Sequence, residues 1–517
     1  MKRLVTVLLT LLAFGPLPYS HAQVSVLTYH NDNMRTGANT NETILTPSTV
    51  SSNIFQRLFM CTIDGYVYAQ PLVVAGVNIP LVGSRNVVYV ATEHDSLYAF
   101  DADSGKRYWQ NKLLPKHGKT VSSHGDLRCT DLIPEVGVTS TPVIDPSTST
   151  IYVLEKGKTN TVFFQRLHAI DLATGAEKFG GPVSLAASSA GMGDGEVNGV
   201  INYDPLRQHQ RSALLLVNGV VYIASASHCD TDSYHGWVLG YNATNLTQVA
   251  AFNATPNGGR GGIWMSGGGP SADANGNIYV STANGTFDAD TDGSDYGDSV
   301  IELNTNGGLS VSDYFTPFDQ ANLAASDLDL GSGGVLLLPD QPGPNPHLAI
   351  MGGKVGTLYL LNRDDLGEFQ SNNDSQIVQS LPGIVGHDFC TPAYFNGNLY
   401  YNGEADTLKE FALTNGLLNT TPVSQSVNSI LFPGATPSVS ANGTTNAIVW
   451  TVQTDAYVRN GPAVLHAFDA TNLTRELYNS ATSRQAPGGA VKFAVPTIAN
   501  GKVYVGAVHR LSVYGLR

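Results

Sequence analysis

One strand pattern recurs along the whole chain, and internal repetition constrains a fold more than any other sequence feature. A strand with tyrosine at its centre is followed by a polar turn and a second apolar strand. The tyrosine strand occurs at 87–90, 151–153, 220–223, 278–280, 399–401 and 503–505, with weaker copies at 348–350 and 448–450. Eight copies of a unit too small to bury its own apolar face predict that the copies pack against one another in series.

The turns and the composition indicate an all-β fold. Charged residues make up only 14% of the chain, and glycine accounts for 54 of its 517 residues. Several second strands end in turns such as Asp103-Ser104-Gly105 and Ala173-Thr174-Gly175. These residues cap a turn with side-chain hydrogen bonds or accept a positive φ, so the chain is expected to consist of many short strands joined by tight turns.

A further short strand, usually opened by proline, precedes the tyrosine strand. The prolines are Pro71, Pro142, Pro270, Pro392, Pro437 and Pro496. Proline has no backbone donor, so within a sheet it belongs on an edge strand or at the first residue of a strand. The innermost strand of a propeller blade is such an edge, because it lines the central channel. The proline strands are therefore expected to be the innermost strands of the blades.

The predicted fold is all-β: an eight-bladed β-propeller of four-stranded antiparallel blades. Seven blades are the alternative if one weak copy is spurious, whereas a β-sandwich does not explain the repeated strand order. The last copy stops at 514–516 after its third strand, so segment 55–59 is expected to supply the outer strand. Pairing of the N- and C-terminal strands would close the ring and remove a free edge. Residues 23–517 would then form one propeller domain with a lead-in at 23–52.

The N-terminus indicates export. Lys2 and Arg3 precede an apolar run at 4–14, and Ser20-His21-Ala22 follows it. This arrangement predicts a secretory signal peptide at 1–22 and a secreted or periplasmic protein. The run is too short for a membrane span, and no other stretch approaches the roughly 20 apolar residues that a span needs. The net charge of −14 argues against nucleic acid as a partner, because phosphate binding needs a basic surplus.

Four cysteines, Cys61, Cys129, Cys229 and Cys390, remain after the signal peptide. In an oxidising compartment they allow up to two disulfides with three connectivities. Cys129 and Cys229 fall on loops at the same side of the neighbouring blades two and three, so a disulfide is predicted between them. The chain contains no CxxCH haem-attachment motif.

One region carries a more specific signal. The run Gly-Ile-Trp-Met-Ser at 262–266 leads into the fourth tyrosine strand, which ends in Ser-Thr-Ala-Asn-Gly at 281–285. Further segments at 296–299 and 315–319 follow, and Lys-Val-Gly-Thr-Leu-Tyr-Leu-Leu-Asn-Arg at 354–363 ends the run. Over roughly residues 212–370 the chain resembles the quinoprotein alcohol dehydrogenases, a family of eight-bladed propellers that carry pyrroloquinoline quinone and usually Ca²⁺ on the axis. Elsewhere the similarity is that of generic repeats.

The resemblance implies roles for five residues. Trp264 would stack on the planar quinone. Asn284 would give Ca²⁺ an amide oxygen, and Lys354 would hydrogen-bond a quinone oxygen as negative charge develops there. Asp329 would be the general base that removes the alcohol proton, and would also stand among the metal ligands. Asp327 is the neighbouring choice of base, because the family's tryptophan is missing from this loop and the register is open.

The chain also departs from the family. It lacks the adjacent-cysteine disulfide under the cofactor. The third-blade glutamate that binds the metal falls in segment 228–232, where only Asp230 and Asp232 offer carboxylates. The outer-strand tryptophan that joins neighbouring blades is clear only as Trp109.

Two functions are therefore expected. The first is a quinone- and Ca²⁺-dependent dehydrogenase for an alcohol or sugar hydroxyl, which passes electrons to a separate acceptor because no haem domain is encoded. The second is a non-catalytic propeller scaffold, like the outer-membrane assembly scaffold of the same repeat type, that binds a protein or polysaccharide at its funnel face.

Overall fold

Eight blades form a closed ring, as the repeats predict. The structure is a computed structural model that describes residues 23–482 and 484–517. The predicted signal peptide at 1–22 lies outside the described residues. Most blades are four-stranded and antiparallel, so the eight-bladed prediction is confirmed.

Blades one to four run in chain order, and each is built of strands that follow one another from the innermost outward. Blade one has Leu72–Ile79, Gly83–Thr92, Ser96–Asp101 and Arg107–Lys112. Blade two has Val143–Asp145, Thr150–Thr159, Val162–Asp171 and Val183–Ser184, joined by Lys119–Ser122 and Glu135–Val136. Blade three has Leu215–Val217, Val220–Ser227, Trp237–Asn242 and Gln248–Asn253, with Gln208–His209 also pairing the second strand. Blade four has Ser271–Ala272, Ile278–Ser281, Val300–Asn304 and Ser310–Thr316, with Glu368–Phe369 added at its outer edge.

Blades five to eight complete the ring. Blade five has Leu336–Leu337, Leu348–Gly352, Leu358–Asn362 and Gln379–Leu381. Blade six has Ala393–Phe395, Asn398–Tyr401 and Asp406–Thr414, whose outer edge pairs Leu417–Leu418 and Ser424–Ile430. Blade seven has Ser438–Asn442, Thr445–Gln453, Val464–Asp469 and Asn472–Asn479, with Ala38–Asn39 beside its innermost strand. Blade eight has Thr497–Ala499, Lys502–Ala507, Arg510–Leu516 and Phe55–Thr62.

The remaining elements are short. A hairpin of Ser188–Ala190 and Val200–Asn202 lies between blades two and three. The α-helices are Pro47–Val50 and Gln320–Ser326, and single helical turns occur at Ser123–Leu127, Met265–Gly267, Ala289–Thr291, Leu330–Ser332 and Asp455–Arg459. Within residues 23–482 and 484–517, no helix has the length and apolar character needed to cross a membrane.

The two termini meet in blade eight. Phe55–Thr62 pairs antiparallel with Arg510–Leu516, which confirms that the N-terminal strand closes the ring. Phe55 is buried against Trp450 and Tyr514, with ring centroids 5.6 Å and 6.4 Å away. The closure therefore buries apolar surface as well as pairing the edge that the last repeat leaves open.

The repeated tyrosine joins four of the blades to the next, through Tyr89, Tyr152, Tyr400 and Tyr504. The Tyr89 hydroxyl of blade one donates to the Leu172 carbonyl of blade two at 2.9 Å. The Tyr152 hydroxyl of blade two donates to the Ala243 carbonyl of blade three at 2.7 Å. In both cases the acceptor directly follows the Asp or Asn that opens the turn after a second apolar strand. The repeat pattern thus encodes a contact between blades as well as a strand.

Trp109 makes the same kind of contact from the outer strand of blade one. Its indole N–H donates to the Leu172 carbonyl of blade two at 3.1 Å. The ring covers Gly175, where a Cβ would lie 2.8 Å from the indole and where φ is +73°. Glycine is required at this turn by both the backbone conformation and the close approach of the ring.

The lead-in fills the central channel. It pairs along the innermost strands of six blades: Val26 with Val73, then Ile144 N–H to Leu27 O, Ala272 to Asn33, Leu337 to Met34, Tyr394 to Thr36 and Val439 to Gly37. The fully buried Arg35 guanidinium donates to the carbonyls of Pro270 and Leu214 from blades four and three. Backbone groups at the inner edges are therefore satisfied by the lead-in.

The predicted disulfide is confirmed. Cys129 and Cys229 are bonded across 100 residues, with their Cα atoms 5.8 Å apart. Cys61 and Cys390 are buried free thiols. The bond ties the loop that precedes blade two's innermost strand to blade three, at the end of the ring where the cavity described next lies.

Candidate functional site

Loops from blades two to eight converge on one cavity of about 290 Å³. Because seven blades contribute to it, the cavity lies on the propeller axis. Its lining residues are Asp131, Ala226, Ser227, Cys229, Asp230, Tyr234, Gly262, Trp264, Ala283, Asp329, Lys354, Phe389, Phe432, Lys492 and Phe493.

Three of the residues to which the resemblance gives roles line this cavity. Trp264, Asp329 and Lys354 line it, and Asn284 follows the lining residue Ala283. The Asn284 backbone N–H donates to Asp329 Oδ1 at 3.5 Å, and its side-chain amide donates to Asp327 Oδ1 at 2.9 Å. Four positions spread over about ninety residues of sequence thus share one site because blades four and five present them from adjacent loops.

Trp264 belongs to an aromatic wall made of Trp264, Phe389, Phe432 and Phe493. The Trp264 ring is 5.4 Å from Phe493 and 6.3 Å from Phe389, both perpendicular to it. Phe432 lies 5.2 Å from Phe389 and 6.2 Å from Phe493. Edge-to-face contacts of this kind fix ring orientation, so the wall is a rigid apolar surface.

The loop after Trp264 is held by polar contacts. Ser266, at a positive φ of 48°, donates from its hydroxyl to the Ser332 carbonyl at 2.6 Å. The Arg211 guanidinium donates to the Ser266 carbonyl at 2.8 Å. These contacts tie the loops of blades three, four and five together beneath the wall.

Lys354 pairs with both carboxylates of the loop that follows helix Gln320–Ser326. Its ammonium lies 2.7 Å from Asp329 Oδ2 and 3.0 Å from Asp327 Oδ2. Burial raises the pKa of the Asp329 carboxyl to about 6, although the Lys354 ammonium acts to lower it. Burial acts to lower the pKa of Lys354, but Asp329 outweighs it and raises that pKa. The Asp327 side chain is 60% exposed and does not line the cavity, whereas that of Asp329 is 13% exposed.

Asp298 hydrogen-bonds the backbone of the loop that carries Asp329. Its Oδ1 accepts the Leu330 backbone N–H at 3.1 Å, one residue after Asp329. Its Oδ2 is buried, with no hydrogen-bond partner among the described residues. Burial raises the pKa of the Asp298 carboxyl to about 8, and the nearby Asp329 carboxylate also acts to raise it. With these pKa values Asp298 is protonated and the neighbouring Asp329 is ionised near neutral pH.

Oxygen ligands for a hard cation lie beside this pair. The Asn284 Oδ1 is buried without a hydrogen-bond partner in the described chain, and Asp230 lines the cavity. The Asp230 Oδ1 already accepts the Tyr234 hydroxyl at 2.6 Å. An unsatisfied amide oxygen with the carboxylates of Asp230 and Asp329 fits the oxygen ligands that Ca²⁺ prefers. Asp232 lies elsewhere: its side chain is 49% exposed and pairs with Arg260 at 3.1 Å.

A buried group of imidazoles lies behind the cavity and was not foreseen from the sequence. Asp131 lines the cavity, and its Oδ2 lies 3.1 Å from His228 Nδ1 and 3.6 Å from His209 Nδ1. The two imidazoles stack with ring centroids 4.1 Å apart, and Lys156 Nζ lies 3.0 Å from His228 Nε2. Burial acts to raise the pKa of Asp131, but the imidazoles outweigh it and hold that pKa below its ordinary value. Asp131 is therefore an ionised wall residue.

Phe389, Phe493 and Lys492 were also missed. A sequence signal did exist: Tyr68, Phe389 and Phe493 each stand three residues before a strand-opening proline. In blades six and eight that position lines the cavity, whereas Tyr68 of blade one is not among the lining residues. Lys492 directly precedes Phe493, but the repeat gives no sign of a lysine there, and Phe432 lies five residues before Pro437, outside this register.

No family model and no curated protein sequence matches the chain. Solved structures do match. A quinohemoprotein alcohol dehydrogenase from Pseudomonas putida has a TM-score of 0.62 at 14% identity, covering 95% of this chain and 80% of that one. A europium-containing methanol dehydrogenase has a TM-score of 0.62 at 14% identity, covering 95% and 98%. BamB from Moraxella catarrhalis has a TM-score of 0.51 at 12% identity, covering 90% and 100%.

These likenesses define the fold. The chain has the eight-bladed propeller fold of the quinoprotein alcohol dehydrogenases, in agreement with the resemblance in residues 212–370. At such low identity the comparison carries the architecture, and the chemistry has to be argued from the residues of the cavity.

Proposed function

We propose that this protein is an exported dehydrogenase that oxidises an alcohol or sugar hydroxyl with pyrroloquinoline quinone and Ca²⁺ held in the axial cavity. One observation carries the proposal: Trp264, Asp329 and Lys354 line a single cavity, and Asn284, whose Oδ1 is unsatisfied, hydrogen-bonds the loop that carries Asp329. The dehydrogenases named above share the fold and supply the precedent.

The residues of the cavity suit this cofactor pair. The Trp264 ring offers a flat apolar face to a planar ring system, and the rings packed edge to face against it fix its orientation. Asn284, Asp230 and Asp329 offer oxygen ligands to Ca²⁺. The Lys354 ammonium lines the cavity and would bind a quinone oxygen by exchanging one of the acceptors that Asp327 and Asp329 now supply. When bound, the quinone with its metal supplies a hydride acceptor polarised by a Lewis acid.

Asp329 is the proposed general base. It lines the cavity, and in the metal-free protein burial raises its pKa to about 6, so the carboxylate is ionised at neutral pH and can accept a hydroxyl proton. Lys354 holds its Oδ2, which fixes the direction of the carboxylate. The exposure of Asp327 and its absence from the lining favour Asp329 over its neighbour.

Two further parts of the proposal are export of the protein and the acceptor of its electrons. The Cys129–Cys229 disulfide is the kind of bond that persists in an oxidising compartment, which supports export. Two electrons leave the site in each turnover, so we infer a separate electron acceptor that docks at the end of the ring where the cavity lies.

The second candidate is a non-catalytic scaffold that binds a protein or polysaccharide at the same face. It is favoured by Asp230, which is one methylene shorter than the family's glutamate and is already hydrogen-bonded by Tyr234. BamB shares the fold at a TM-score of 0.51.

Reconstitution separates the two candidates. The purified protein is incubated with pyrroloquinoline quinone and Ca²⁺, desalted, and examined for bound-cofactor absorbance and alcohol-dependent dye reduction. Asn284→Ala should weaken cofactor binding, whereas Asn245→Ala in an exposed turn of blade three should not. Absence of binding at micromolar cofactor would reject the dehydrogenase and leave the scaffold.

A further inference from the structure

Lys492 is a buried lysine of the cavity wall that the proposed reaction does not use. It lies in the loop before the innermost strand of blade eight, is 9% exposed and lines the cavity. Its ammonium stands among three rings, 5.2 Å from the centroid of Tyr457, 5.7 Å from Phe493 and 5.9 Å from Phe432.

Of the two lysines that line the cavity, only Lys354 has ion-pair partners among the described residues. Lys492 Nζ makes no ion pair and no hydrogen bond within residues 23–482 and 484–517. Asp131 is the carboxylate that acts on it most, but the Asp131 oxygens are occupied by His228 at 3.1 Å and by the Leu132 N–H at 2.7 Å. The Lys492 ammonium is therefore without an acceptor from the described part of the protein.

The aromatic rings offset only part of the cost of burying this charge. Ring faces attract a cation, but they do not replace the three hydrogen bonds that an ammonium makes in water. Burial accordingly lowers the pKa of Lys492 to about 8. The Arg211 guanidinium, 5.1 Å from the Phe493 centroid, adds a second positive charge on the same side. The Asp131 carboxylate acts on Lys492 more strongly than Arg211 and in the opposite direction, so what this end of the cavity offers a ligand is the unused N–H donors of the Lys492 ammonium.

We propose that Lys492 forms an oxyanion subsite in the axial cavity, which binds a carboxylate of a planar aromatic ligand lying against the aromatic wall. The Phe493 ring lies next to both Trp264 and Lys492. It therefore brings the ring surface for the ligand and the ammonium for its carboxylate into one subsite. The identity of the ligand rests on the proposed function: pyrroloquinoline quinone is a fused aromatic tricarboxylate. In this arrangement Lys354, which pairs with two aspartates, is assigned to the quinone oxygen, and Lys492 is assigned to a carboxylate of the same ligand.

Equilibrium binding tests the subsite without any need for turnover. Pyrroloquinoline quinone is titrated into the full-length protein with Ca²⁺, and quenching of tryptophan fluorescence is measured for wild type, Lys492→Met and Lys492→Arg. Loss of a hydrogen bond to a charged group weakens binding about 10- to 100-fold, so Lys492→Met should raise Kd by that factor. Lys492→Arg keeps the charge and should recover most of the affinity.

Lys502→Met is the matched control. Lys502 also belongs to blade eight and is also largely buried, but it pairs with Asp103 at 2.7 Å and does not line the cavity. Its replacement should leave Kd unchanged. Thermal unfolding of each variant shows whether the ring is intact. If Lys492→Met binds the quinone as tightly as wild type, the subsite is overturned while the proposed function stands.

A second probe separates failure of the subsite from failure of the proposed function. If wild type does not bind the quinone, the dehydrogenase proposal falls, and the same variants are titrated with benzenetricarboxylate and with its trimethyl ester. Binding of the free acid that Lys492→Met abolishes, with no binding of the ester, keeps the oxyanion subsite. Equal behaviour of wild type and Lys492→Met, or no binding of the acid, overturns it.

Discussion

Lys354 Nζ lies 2.7 Å from Asp329 Oδ2, so the lysine that blade five contributes to the cavity holds the carboxylate proposed as base. Two opposite effects act on the Asp329 carboxyl. Burial raises its pKa, and the Lys354 ammonium limits that rise to a value of about 6. The geometry therefore keeps a buried carboxylate ionised at neutral pH while leaving it a better proton acceptor than an exposed aspartate.

Replacing Lys354 by Met should raise the pKa of Asp329 in the metal-free protein. Infrared titration of the wild-type carboxylate without Ca²⁺ should give a midpoint of about 6. Without the ammonium, the burial effect is unopposed, and the midpoint should shift up by about one pH unit or more. An unshifted midpoint would show that the pair does not set this pKa.

Asp298→Asn should flatten the dependence of stability on pH. The folded-state pKa of Asp298 is raised to about 8, above the value near 3.9 of an unfolded aspartate. Unfolding between these pH values therefore releases a proton, and this group's contribution to stability is lost as pH rises towards and through about 8. The amide can still accept the Leu330 N–H but does not titrate.

The measurement is urea unfolding at pH 5.5, 6.5 and 7.5. The free energy of unfolding of wild type should fall relative to that of Asp298→Asn by up to about 1.4 kcal/mol per pH unit. Asp290→Asn, in an exposed turn of blade four, serves as the control and should keep the wild-type slope. Parallel curves for wild type and Asp298→Asn would place the pKa of Asp298 in the ordinary range.

Loss of the Cys129–Cys229 disulfide should destabilise the ring and loosen the cavity wall. A bond that closes a loop of about 100 residues stabilises by about 4 to 5 kcal/mol in the chain-entropy treatment. Cys129→Ser with Cys229→Ser should lower Tm by several degrees, whereas Cys61→Ser should have a smaller effect. Peptide mapping without reductant should recover the linked peptides, and finding both thiols free would contradict the bond.

The ring could be predicted from the sequence because its contacts are local and repeated. Each Tyr strand pairs with neighbours in the same copy, and even the contact of Tyr89 with Leu172 joins adjacent copies. The path of the lead-in could not, because Arg35 contacts backbone carbonyls that any sequence supplies. The candidate site could be predicted from the sequence only in part. Trp264 and Lys354 stand in a recognisable run, whereas nothing in the repeat indicates a lysine at position 492, next to Phe493.

The tyrosine contacts between blades give a test of what the repeat encodes. Tyr152→Phe removes the hydroxyl that donates to the Ala243 carbonyl and leaves that buried acceptor unpaired. The expected loss is about 1–3 kcal/mol in the free energy of unfolding, measured by urea titration. Tyr401 lies on the corresponding strand of blade six, but its buried hydroxyl has no hydrogen-bond partner among the described residues. Tyr401→Phe should therefore be neutral or stabilising, since it removes an unsatisfied polar group. If Tyr152→Phe were as stable as wild type, the tyrosine would act through ring packing alone, and the hydroxyl contact would not help to join the blades.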